Sequence, residues 1–131
     1  MNEKILLVLT NLPDPDSARR VADALIENSA AACVNILAEC SSVYRWQGKI
    51  ETARETPLLI KTTSTAYPRL EATIRAHHPY ELPEIIAVPV EAGLPGYLQW
   101  VTQETNSHNI PRFDQLRTDL SGDDQPLFKK T

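Results

Sequence analysis

The hydrophobic pattern changes period several times along the first hundred residues. Residues 4–10, KILLVLT, form an unbroken apolar run, which predicts a strand buried on both faces. A helix start follows. Asp14 can cap, Pro15 suits the first helical position, and Asp16 and Ser17 bring acceptors to the first turn. Ala18, Val21, Ala22, Leu25 and Ile26 then recur at the spacing of one helix face, and Asn28 is the expected left-handed stop. Residues 31–46 predict a long strand with Ala32, Val34, Ile36, Ala38 and Cys40 on one side and a bulge near Ser41-Ser42. Gln47-Gly48 predicts a turn, after which a strand returns from Lys49 to Lys61. Pro57 interrupts it, implying an edge position or a bulge. A second helix is expected over 64–77, with Pro68 in its first turn and Tyr67, Leu70 and Ile74 inward. Residues 84–91 predict a fourth strand whose Pro89 implies an edge or an unpaired amide. Residues 95–106 predict a third helix with Tyr97, Leu98 and Val101 inward.

The order β-α-β-β-α-β defines an α+β class: a ferredoxin-like sandwich, with a four-stranded antiparallel sheet and two helices on one face. A long β-hairpin and a C-terminal helix are added to it. Residues 1–106 are the expected domain. Residues 107–131 are polar and aperiodic and are read as a tail, with one short ordered stretch around 113–116. A strand of about 15 residues is ~50 Å long, whereas a domain of ~100 residues has a radius of gyration of about 13 Å. The hairpin therefore overhangs its own domain, and Tyr44, Trp46 and Ile50 at its tip call for a partner subunit. A homo-oligomer follows, with threefold symmetry allowed.

Composition narrows the function. The chain has 131 residues, enough for one domain, and a net charge of -4. That balance argues against nucleic acid or an anionic membrane as partner. No apolar run approaches the roughly 20 residues of a membrane span, and the opening run is too short for a signal-peptide core. A cytoplasmic protein is expected. Cys33 and Cys40, seven residues apart in one predicted strand, lie about 23 Å apart if extended, too far for a disulfide. Their odd spacing sends them to opposite faces, barring a bulge.

Two groups of residues could carry chemistry. His77-His78 precede Pro79, which pushes His78 out of helical geometry, so both imidazoles could turn towards one ion at the helix end. Two nitrogens are not a tight site, and a third ligand must come from Cys33, Cys40, Glu81, Glu84, His108 or a neighbouring subunit. The competing reading is a polar helix end that complements the helix dipole. The second group is Tyr44, Trp46, Lys61, Tyr80, Glu84 and Trp100. Aromatic walls with a lysine and a glutamate suit a small anionic or zwitterionic ligand, and the competing reading is an oligomer contact. No GxSxG, phosphate-cradling glycine loop or HExxH is present, and the chain has four glycines in all, so no enzyme is expected.

The blocks AACVNI (31–36), SVYRWQGKIE (42–51), LLIKTT (58–63), HHPYELPEI (77–85) and YLQWV (97–101) together resemble the CutA divalent-cation tolerance family. The resemblance covers roughly residues 3–106. It implies a ferredoxin-like subunit in a tight homotrimer similar to the PII signalling proteins, a cytoplasmic protein, and Cu(II) or another divalent cation as ligand, weakly bound. The family's copper ligands carry over as His77 and His78. The family's cysteine near the end of the first strand is replaced here by Thr10, which removes the softest ligand. Cys33 is the substitute nearest to hand. The alternative is a PII-like signalling or adaptor trimer holding a small molecule in an intersubunit cleft lined by Tyr44, Trp46, Lys61, Tyr80 and Glu84.

Overall fold

Residues 3–106 are described by the computed structural model. The predicted tail, 107–131, and His108 lie outside the described residues. The elements follow as β1 (Ile5–Leu12), α1 (Pro15–Glu27), β2 (Cys33–Ile36), β3 (Cys40–Trp46), β4 (Lys49–Thr63), α2 (Tyr67–His77), β5 (Ile86–Pro89) and α3 (Pro95–Glu104). All strand pairs are antiparallel, in the order β2-β4-β1-β5, with β3 paired to the far half of β4. This is the α+β, ferredoxin-like arrangement expected from the pattern.

Helix α1 begins as its sequence dictates. Asp14 is extended and its Oδ1 accepts the Ser17 N–H at 2.8 Å, with Pro15 just inside the helix. Its end differs from expectation. Asn28 keeps a φ of -89°, and Ser29, at φ 52°, is the left-handed residue. The N–H of Ala30 reaches the Leu25 carbonyl and that of Ser29 the Ile26 carbonyl, the paired bonds of a Schellman end. Ala30 must be buried beside Leu25 for this to close, and the helix runs one residue further to put it there.

Helices α1 and α2 cover one face of the sheet. Val8, Leu12, Leu58 and Ile60 from the strands meet Ala18, Val21, Leu25, Leu70 and Ile74 from the helices, all fully buried. The other face is only partly covered, by α3, which lies against β1 and β4 and buries Val101. Strand β1 is thus buried on one face and half-buried on the other, at Leu7 and Leu9, not sealed on both sides as its unbroken apolar run suggested. Tyr97 and Leu98 on α3 are likewise half-buried.

The predicted long strand over 31–46 is broken. Ile36 pairs with Leu58 and Cys40 with Glu55, so three residues, 37–39, oppose two, 56–57. The bulge comes earlier than Ser41-Ser42 because of Pro57. The Leu37 N–H donates to the Pro57 carbonyl at 2.9 Å, but Pro57 has no N–H to return the bond, and the ladder breaks there. Pro57 is neither at an edge nor an interruption of its own strand, since β4 runs unbroken between β1 and β2. The extra residue also reverses the alternation. Cys33 pairs with Lys61 and Cys40 with Glu55, positions of the same parity on β4, so both thiols face one side and both are free.

The overhang is as long as predicted. Strand β1 stops at Leu12 opposite Thr56, and residues 49–55 of β4 pair with β3 alone. Gln47 and Gly48, at φ 50° and 81°, form a two-residue turn of the primed type, whose twist matches the flanking strands. Strand β5 is an edge, as Pro89 implied. Among the described residues no helix is long and apolar enough to cross a membrane.

Candidate functional site

The point where β1 ends and the hairpin continues alone leaves a hollow beside the sheet. The connection from α2 to β5, residues 78–85, folds over it and is tied at three places. His78 Nε2 meets the Asn11 carbonyl at 2.7 Å, the Tyr80 hydroxyl donates to Glu55 Oε2 at 2.8 Å, and Asn11 Nδ2 donates to Glu84 Oε1 at 3.3 Å. The result is a cleft of about 320 Å³ lined by Asn11, Tyr44, Trp46, Glu55, Tyr80, Glu81, Leu82 and Glu84. That volume lies at the small end of the range for ligand pockets.

The two adjacent histidines do different things. Pro79 does end the helix: His78 is its C-cap, with ψ 132°. The freed imidazole turns inward, is only 9% exposed, and packs on Tyr80 with ring centres 4.7 Å apart. The Asn11 carbonyl can only accept, so His78 Nε2 carries the proton. Nδ1 then accepts the Tyr80 N–H at 3.2 Å. Both nitrogens are engaged. Burial pushes the His78 pKa down, against the smaller opposing effects of the Asn11 hydrogen bond and the Glu55 charge. His77 is exposed; its Nδ1 donates to the Thr73 carbonyl at 2.9 Å, which leaves the Nε2 lone pair outward. The two rings do not turn towards one point.

The other ligands read from the sequence are elsewhere. Cys33 pairs with Lys61, which pairs with Leu7, four residues up β1 from Asn11, or roughly 13 Å at the strand rise. Thr10 is buried and its Oγ1 has no hydrogen-bond partner among the described residues. Among the described residues no three His, Cys, Asp or Glu side chains are grouped as a metal would require.

The aromatic group divides in two. Tyr44, Trp46, Tyr80 and Glu84 do meet in the cleft. Lys61 does not: its Nζ hydrogen-bonds Asn35 Oδ1 and lies 4.0 Å from Cys33 Sγ, at the other end of the sheet. Trp100 packs with Tyr97 on α3, ring centres 5.5 Å apart. Without the lysine, Glu84 is joined by Glu55 and Glu81, so the cleft is acidic where the sequence reading had a lysine and a glutamate together. Nothing local marks Glu55 in the sequence: β4 carries it on the same side as Leu59 and Lys61, and only the folded loop that brings the Tyr80 hydroxyl to it makes that position part of a cleft. Glu81, expected as a possible metal ligand, and Leu82, which carries no chemical signal in the HHPYELPEI block, both line the cleft. The Tyr80 hydroxyl is pushed well above the ordinary phenol range, by burial first and then by its bond to the Glu55 carboxylate.

The family model described as CutA1 divalent ion tolerance protein matches residues 6–104. A divalent-cation tolerance protein CutA from Thermus thermophilus is 44% identical over 99 residues, 76% of this chain and 96% of that one. Protein CutA of Mus musculus is 46% identical over 95 residues, 72% of this chain and 54% of that one, so the chain spans about half of that relative. The solved structure of the Thermus thermophilus protein superimposes with a TM-score of 0.77 at 43% identity, covering 78% of this chain and 99% of that one. A family match over nearly the whole described region, with the same fold at this identity, leaves one conclusion: the chain belongs to the CutA divalent-cation tolerance family.

Proposed function

We propose that the protein serves divalent-cation tolerance as a non-enzymatic cytoplasmic homotrimer that holds a divalent cation, Cu(II) or a similar ion, weakly at the end of α2. The observation that carries this reading is uncovered apolar surface. Leu7, Leu9, Leu59, Ile86 and Val88 share the face of the sheet that α3 leaves open, by the register of β1, β4 and β5. On the overhanging hairpin Val43 and Ile50 are 70% and 69% exposed. A second copy covers such surface, and a head-to-tail contact of this kind closes into a ring. Threefold closure is what the family resemblance implies.

His77 supports the cation contact. Its Nε2 is an outward imidazole donor, which suits Cu(II), zinc or nickel. His78 enters this reading as the residue that shapes the helix end, and the remaining donors come from water or a neighbouring subunit. Calorimetry with Cu(II) at pH 7 should give saturable binding that His77→Ala abolishes and His78→Gln retains. Binding that persists in His77→Ala defeats the assignment, and a monomer by light scattering defeats the assembly.

The cleft favours a second reading, a PII-like signalling or adaptor trimer whose occupant is a small molecule. It replaces Lys61 by Glu55 and Glu81 as the deciding polar groups. A small molecule that raises the melting temperature of the metal-free protein supports it. The same rise in a variant with a blocked cleft, Ala53→Trp, removes that support.

A further inference from the structure

Glu55 presents an unresolved charge. It is 8% exposed, yet no lysine or arginine nitrogen lies within 4.0 Å of it among the described residues. Its Oε2 accepts the Tyr80 hydroxyl at 2.8 Å, while its Oε1 receives no hydrogen bond from any described residue. A carboxylate taken out of water is costly unless a positive charge or several donors meet it. One phenol supplies one donor. Its Oε1 is not among the fully buried unpartnered atoms, and Glu55 lines the cleft, so this oxygen keeps solvent access and a positive partner has room to reach it there.

The rest of the lining says what kind of cation fits. Glu81 and Glu84 add two more carboxylates, and among the described residues no lysine, arginine or histidine lines the cleft. Three of the eight lining residues are aromatic: Tyr44 and Trp46 from β3 and Tyr80 from the loop. Aromatic faces attract cations and also accept an alkyl body, which a hydrated metal ion lacks. The carboxylates do not group as metal ligands. A bare ion would leave the aromatic walls without contact, and an anion or zwitterion would set a carboxylate against three others.

We propose that the cleft between the hairpin base and residues 78–85 binds an organic cation, a primary alkylammonium, with its nitrogen on the free oxygen of Glu55 and its carbon chain against Trp46 and Tyr80. This rests on the reading of the cleft as a small-molecule site and adds the ligand's charge and chemistry. It does not depend on a metal at His77.

The test uses the full chain, freed of metal and kept in chelator, titrated by calorimetry with 1,5-diaminopentane. The neutral isostere 1,5-pentanediol, glutarate as the dianion and glutamate as the zwitterion are run beside it. Saturable binding of the diamine, one per chain, is expected, with no heat from the diol or the dianion. Glu55→Gln should weaken it roughly tenfold, about what a charge-assisted bond contributes. Because Glu55 is buried and that variant can misfold, Trp46→Leu and Glu84→Gln at exposed positions are measured too, and each should weaken binding several-fold. Diamine affinity unchanged in all three variants, or equal affinity for the diol, overturns the proposal. Binding of glutarate or glutamate alone overturns the cation class while sparing the small-molecule reading. Silence from all four compounds overturns both.

Discussion

The two faces of the sheet are built from strands of similar apolar content and have opposite fates. On the helix side Val8, Leu12, Leu58 and Ile60 are sealed by α1 and α2. On the other side Leu7, Leu9 and Leu59 are half-buried and Ile86 and Val88 are exposed, because α3 is ten residues long and covers one end. The lesson is that apolar content sets how much surface must be covered, while connectivity sets whether the same chain can cover it. The hairpin makes the contrast sharper: among the described residues its seven residue pairs, 40–46 against 49–55, are overlaid at the base by residues 78–85, while Val43 and Ile50 stay exposed.

Truncation on the covered face should have the largest effect. Leu70→Ala, between α2 and the sheet, is expected to cost about 3 kcal/mol, as large-to-small changes in sealed cores do. A urea titration that finds under about 1 kcal/mol would mean the two faces are not so different. Next comes the joint between fold and cleft. His78→Ala removes two hydrogen bonds and their packing and should cost about 2 kcal/mol. It should also change the pH profile. The His78 pKa is lowered on folding, so the unfolded chain binds the proton more readily. The stability His78 contributes is complete above its ordinary pKa of about 6.5 and is lost as pH falls below it towards the depressed folded value. Melting temperatures of metal-free protein between pH 7.5 and 5 should decline more steeply for the parent than for His78→Ala, and parallel curves would contradict this.

Thr10→Val tests the covered face in the opposite direction. The Oγ1 of Thr10 is buried without a partner among the described residues, so an isosteric methyl should stabilise by about 1 kcal/mol. A loss of stability would reveal a hydrogen bond to this hydroxyl. The smallest effect on folding belongs to the open side. Ile50→Ala at the hairpin tip should change subunit stability by under about 0.5 kcal/mol while weakening self-association in sedimentation. A large folding cost with unchanged assembly would show that the hairpin packs within its own subunit.

Much of this was legible in the linear chain. Cap and stripe located α1 because an amphipathic helix is specified by residues within a few turns of one another. Gln47-Gly48 and the length of the flanking strands announced an overhanging hairpin. Pro57 implied an edge or a bulge, and the bulge lies opposite it: a missing N–H is visible in sequence, but which neighbour lacks its bond depends on pairing. That single uncertainty spread. With the bulge at 37–39 the parity of β3 reverses, and Cys40 changes face and comes opposite Glu55.

The histidines show the same division. Pro79 ends α2 wherever the helix lies, since the clash between proline and its predecessor is local. Whether the freed imidazole would reach an ion or a carbonyl depended on the end of β1, which sits 67 residues earlier in the chain. Local sterics and periodicity therefore determined the elements, their order and the overhang. Tertiary structure alone decided which lone pairs were left free, which carboxylate was buried, and that the cleft is acidic rather than mixed. Hydrogen bonds and charges act over a few ångströms, and only the folded pairing of distant strands brings Asn11, Glu55 and Tyr80 within that range.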